Sequence, residues 1–154
     1  TLGISLRPEY PVYSTQTSKA SFVLINQSNR NIMCGEEYCI TYEDEQGIWR
    51  KLPTDNIFFS VGYLVQPGEY RIRTASLYPE MYPNKPGRYR FLYHLTLLDT
   101  RTRIQMMTEF RLSNDEKEWK QTKKLEIPIH LTITQNSDNS ATSETSADEE
   151  TSGQ

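Results

Sequence analysis

The sequence predicts an all-β chain folded as an antiparallel sandwich or barrel. Three observations carry this reading. Apolar and polar residues alternate with a period of two in several separate stretches, each stretch is short, and turn-forming Pro and Gly pairs stand between them. The punctuation is Arg7-Pro8, Tyr10-Pro11, Gln46-Gly47, Gln66-Pro67-Gly68, Tyr82-Pro83 and Lys85-Pro86-Gly87.

The elements follow in order. Leu2 to Leu6 reads as an opening edge strand, and the continuously apolar run Ala20 to Ile25 as a central strand covered on both faces. From Glu37 to Glu43, Tyr38, Ile40 and Tyr42 share one side. Tyr70, Ile72 and Thr74 alternate with Glu69, Arg71 and Arg73, which places the arginines outside. Arg88 to Leu97 turns Tyr89, Phe91, Tyr93, Leu95 and Leu97 inward, with Arg88, Arg90, His94 and Thr96 outward. Thr102 to Leu112 repeats the pattern, with Ile104, Met106, Thr108, Phe110 and Leu112 on one face and Arg103 and Arg111 on the other. A short helix is expected after Asn114, a plausible N-cap before Asp115 to Lys120. Leu125 to Thr134 alternates again and reads as an added strand, with Pro128 arguing for a sheet edge. The body is therefore one domain, 1–134, and the acidic Ser/Thr-rich tail 135–154 is expected to be disordered.

Of 154 residues 36% are hydrophobic, and the mean hydropathy is -0.70, with no run near the roughly 20 apolar residues of a membrane helix. The formal charge of -3 is a tail effect. Asp138, Glu144, Asp148, Glu149 and Glu150 lie there without a single Lys or Arg, which leaves 17 basic against 15 acidic residues in the body. Such a body lacks the basic excess of a general nucleic-acid binder. The chain opens at Thr1 without Met or an apolar leader, which reads as a processed or trimmed start.

The order of motifs from Ala20 to Leu112 resembles a bacterial immunoglobulin-like domain family. The pieces are Asn26-Gln27-Ser28, Cys34-Gly35-Glu36-Glu37-Tyr38, Gly47-Ile48-Trp49, the segment from Val61-Gly62-Tyr63 to Pro67-Gly68, and Pro86-Gly87-Arg88-Tyr89-Arg90. The resemblance implies an immunoglobulin-like β-sandwich similar in plan to envelope modules and, more distantly, to a proteinase inhibitor of sandwich type. It gives Tyr89 the role of a structural corner, its hydroxyl returning to the preceding loop. It transfers no catalytic motif, and an extracytoplasmic location is the expectation.

Chemistry-bearing sets are thin. His94 and His130 are the only histidines, no Gly-x-Ser-x-Gly elbow or Gly-rich phosphate loop occurs, and nothing implies a cofactor. Cys34 and Cys39, the two cysteines, lack the further ligands zinc needs. A turn at Gly35 would bring them within the ~4 Å Cβ spacing of a disulfide, the alternative being two free thiols. Two surfaces are candidates for partner binding. One is an arginine face of Arg71, Arg73, Arg88 and Arg90, joined by Arg103 and Arg111; the other is the loop Leu77 to Pro83, with Tyr78, Met81 and Tyr82. The expected function is a non-catalytic interaction or accessory module binding a protein or glycan. The alternatives are loop presentation to a proteinase and sugar stacking on loop aromatics. Self-association through strand 125–134 is a further expectation.

Overall fold

The computed structural model describes residues 2–53 and 58–134. The expected disordered tail, 135–154, lies outside the described residues. In chain order the elements are β1 (Ile4–Pro8), β2 (Val12–Ser14), β3 (Lys19–Asn26), β4 (Ile32–Glu43), β5 (Trp49–Lys51) and β6 (Tyr63–Val65). There follow β7 (Glu69–Ser76), β8 (Gly87–Leu97), β9 (Thr102–Ser113), α1 (Glu116–Gln121) and β10 (Thr132–Ile133).

They form two sheets, one ordered β1-β3-β7-β10 and the other β2-β9-β8-β4-β5, with β6 on the first residues of β4. All pairings are antiparallel except β2 with β9 and β10 with β7. After β1, the chain crosses at Pro11 from the edge of one sheet to the edge of the other. Two immunoglobulin-like sheets result, packed face to face.

The alternation in β8 and β9 fills the space between them. Phe22 of β3 stacks on Phe91 of β8 with ring centroids 4.0 Å apart, and Phe110, Tyr89, Tyr38 and Tyr93 extend the aromatic layer. Burying each of these side chains contributes on the order of 2 kcal/mol or more. Asn26, wholly buried, holds the β3–β4 turn. Its Nδ2 donates to the carbonyls of Arg30 (2.8 Å) and Val65 (3.1 Å), and its Oδ1 accepts from the Ser28 hydroxyl (2.5 Å) and amide (3.1 Å). The Asn-x-Ser motif is thus a buried polar knot with its partners supplied.

Four expectations need correction. Arg71 and Arg73 do not face solvent: they point between the sheets, at 0% and 9% exposure. The face of β7 that carries Tyr70 and Ile72 is instead covered by the C-terminal segment, where Val23, Ile25, Ile72 and Leu131 form a second small core with Leu125, Ile127 and Ile133. With both faces covered, alternation on β7 no longer tells inside from outside. The ten-residue strand 125–134 is the second correction. Only Thr132 and Ile133 join a sheet, because the backbone turns at Pro128 (Leu131 N to Pro128 O, 3.0 Å) and the apolar residues lie across an existing sheet face. Third, the helix is capped by Asp115, whose carboxylate accepts from the Lys117 amide at 3.0 Å. Asn114 accepts from the Thr15 hydroxyl instead, at 2.7 Å, tying α1 to the end of β2. Fourth, Gly35 lies within strand β4 rather than at a turn. Cys34 and Cys39 are free thiols five residues apart along that strand. At about 3.3 Å of rise per residue, even a bulged strand keeps them outside disulfide reach.

Candidate functional site

Two regions gather the functional candidates. The first is interior. Between Cys34 and Tyr38 the register of β4 against β8 shifts, three residues standing opposite one. This bulge makes the carbonyls of Gly35 and Glu36 and the Glu36 carboxylate available as acceptors. Arg71 donates through Nε to the Tyr93 hydroxyl (3.1 Å), lies 3.7 Å from the Glu36 carboxylate, and sits over the Tyr63 ring at 4.0 Å. Arg73 donates to the Glu36 carbonyl (2.8 Å), lies 3.6 Å from its carboxylate and covers Tyr38. Tyr63 donates to Glu36 at 2.6 Å, and Tyr93 donates to the Gly35 carbonyl. Burial pushes the Tyr93 phenol well above the ordinary phenol range. This network joins the two sheets, and its arginines are enclosed.

The second region is open. A groove of about 760 Å³ runs between the β4–β5 hairpin and the connection from β7 to β8. The hairpin wall is set by Asp44, which accepts from the amides of Gln46 (2.9 Å) and Ile48 (2.8 Å) while Gly47 takes a φ of 79°. Arg50 donates to Asp44 at 2.5 Å, and this bond holds the carboxyl below the usual range. The opposite wall is the loop of the candidate aromatics. Tyr78 has a φ of 48°, a left-handed conformation costly for a tyrosine, and its carbonyl accepts from the amides of Met81 (3.1 Å) and Tyr82 (2.9 Å). The loop is therefore a compact turn. Asn84 ties its base to the Leu77 carbonyl at 3.0 Å, and Leu77 itself is buried.

The groove is lined by Tyr42, Tyr82 and Tyr89 together with Pro53, Pro83 and Pro86. Tyr89 donates to the Lys85 carbonyl at 2.7 Å, closing the corner, and burial raises its phenol pKa. Met81, next in sequence to the lining residue Tyr82, and Ile48, in the β4–β5 connection, are 58% and 51% exposed. Of the expected arginines, Arg88 lines this groove and is committed to Glu109 (2.8 Å) and Glu43 (3.3 Å). Arg90 stacks over Trp49 at 3.8 Å on the outer sheet face, beside Arg88. Arg103 meets His94 and Arg111 meets Glu118, so both stand apart from the cluster in which Arg88 and Arg90 share Glu109 and Trp49. Sequence spacing placed Tyr82 and Met81 on a loop. It missed the facing wall, Tyr42 to Gln46 and Arg50, which lies some thirty to forty residues earlier in the chain.

A family model described as a bacterial Ig-like domain matches residues 1–111. The chain belongs to this family. As a bacterial Ig-like domain it is a non-catalytic module with an interaction or accessory role. Among the described residues no group of three or more His, Cys, Asp or Glu could hold a metal ion, and no helix is long and apolar enough to cross a membrane. No curated protein matches the chain in sequence. Among solved structures, the putative ApaA protein from Bordetella pertussis is 16% identical, over 73% of this chain and 93% of that one, at a TM-score of 0.45. The Pseudomonas fluorescens alkylpurine DNA glycosylase AlkC, bound to DNA containing an abasic site analog, is 16% identical at a TM-score of 0.41. The likeness covers 73% of this bacterial Ig-like domain but spans only 31% of the glycosylase.

Proposed function

We propose that this domain is an extracytoplasmic binding module that grips a protein partner in the groove between the β4–β5 hairpin and the Tyr78–Pro83 loop. The observation that carries the reading is an aromatic and proline-lined groove bounded by two chain segments that each carry an exposed apolar side chain, Ile48 in the β4–β5 connection and Met81 next in sequence to Tyr82. Exposed Met and Ile beside a groove favour a protein surface, which buries them, over a sugar, which leaves them wet. Tyr82 is the anchor, and Arg88, held by two carboxylates, presents a fixed rather than a wandering guanidinium.

The compact turn at Tyr78 argues against presentation to a proteinase, whose cleft takes an extended backbone. Binding of envelope proteins to the immobilised full chain, compared with its Tyr82→Ala and Met81→Asp variants, tests the proposal. A component held by the wild-type chain and lost from both variants supports it, and equal retention by all three overturns it. Binding on a glycan array that is lost with Tyr82→Ala favours a sugar instead.

A further inference from the structure

The outer face of the four-stranded sheet carries Val23 and Ile25 of β3 with Tyr70 and Ile72 of β7, all within the family-matched span. What covers it lies outside that span: Leu125, Ile127, Leu131 and Ile133. The cover is thus an addition to the family domain, laid on a face apolar enough to need one.

Its attachment is light. From Thr122 to Leu131 the segment has no helix or strand. Leu125 donates to the Glu9 carbonyl at 2.7 Å, and Thr132 and Thr134 donate to the carbonyls of Gly68, just before β7, and Tyr70 of β7 at 2.9 and 2.7 Å. The Lys124–Glu9 ion pair, at 3.6 Å, is mostly exposed and contributes little. Ile129, at the bend, is 99% exposed, an apolar side chain that the described residues leave in water.

We infer that this face receives the C-terminal segment of another copy: residues 122–134 of a second chain dock on it in place of the chain's own segment, by reciprocal exchange. Every contact that holds the segment in one molecule forms again between two. Only the path through the exposed residues after α1 changes, so the balance between closed monomer and exchanged dimer depends on concentration.

Two full-length single-cysteine chains test this, one with Tyr70→Cys and one with Ile133→Cys, both also carrying Cys34→Ala and Cys39→Ala. Positions 70 and 133 are paired neighbours across β7 and β10. Mixed at increasing concentration under mild oxidation, the chains are expected to give a 70–133 disulfide heterodimer in clear excess over 70–70 and 133–133 products. The double variant, Tyr70→Cys with Ile133→Cys in one chain, reports the closed form as an internal bridge. An internal bridge without heterodimer, or heterodimer no more abundant than the homodimers, overturns the inference. Absence of both bridge and heterodimer overturns it too, since the β7–β10 contact would then not form.

Discussion

Arg71 of β7 and Tyr93 of β8 meet across the interior of the sandwich, Nε to hydroxyl, at 3.1 Å, with Arg71 wholly buried. An arginine so placed is structural. Its charge is offset by Glu36, and its guanidinium is packed over Tyr63. Arg71→Met keeps much of the stem volume, removes the charge and leaves Glu36 with Arg73 and Tyr63. We expect a loss of about 3 kcal/mol in urea unfolding. Arg88→Ala, which breaks exposed pairs, is expected to cost less than about 1 kcal/mol. Equal losses would contradict the burial.

Leu131 is the buried apolar residue of the C-terminal cover, at 9% exposure. Leu131→Ala is expected to cost about 2 kcal/mol and to speed amide exchange at Thr132 and Thr134 while that of β8 is unchanged. Uniform exchange changes across both sheets would contradict a locally attached cover.

Tyr13, Tyr89 and Tyr93 have phenol pKa values raised chiefly by burial, above the ordinary value of about 10. A raised folded value means that this contribution to stability is complete below about pH 10, where the unfolded phenol is still protonated, and is lost as pH climbs towards the folded values. Part of the tyrosinate absorbance, that of these three, should therefore appear only as the fold is lost. A single phase near pH 10, with the fold intact, would contradict the assignment.

Cys34 is buried and Cys39 partly exposed, both as free thiols. Alkylation of the unreduced native chain is expected to label Cys39 first and Cys34 only on unfolding, and reductant should leave the unfolding midpoint unchanged. A midpoint lowered by reductant would point to a bridge.

The parts of the fold legible in the sequence are those with one dry and one wet face. β8 and β9 alternate cleanly because Arg88, His94, Arg103 and Arg111 border solvent, while Tyr89, Phe91, Phe110 and Leu112 pack. On β7 both faces are covered, and polarity ceased to report direction: Arg71 lies inside because the bulge at Gly35 and Glu36 supplies acceptors that composition does not announce. The run from Leu125 to Ile133 mimics a strand because a segment laid over a sheet also buries alternate residues. For the groove, Pro and aromatic residues at 78–83 marked one wall. The other became visible only when the fold brought Tyr42 to Gln46 against Tyr82 to Tyr89.

Alanine at Tyr82 removes the aromatic anchor from the groove while the turn held by Asn84 and the Tyr78 carbonyl stays. For a partner bound there we expect affinity to fall about 30-fold, as for a central interface aromatic, with unchanged unfolding. Isothermal titration with the captured partner checks this.

Site-directed photo-crosslinking tests the groove assignment most directly. A benzophenone side chain is placed singly at Met81, at Ile48 and, on other surfaces, at Arg103 and Ile129, and the full chain is irradiated with envelope protein. A shared adduct from positions 81 and 48, absent at 103 and 129, is the predicted result. An adduct formed equally at all four positions, or only at 103 or 129, would contradict binding in the groove.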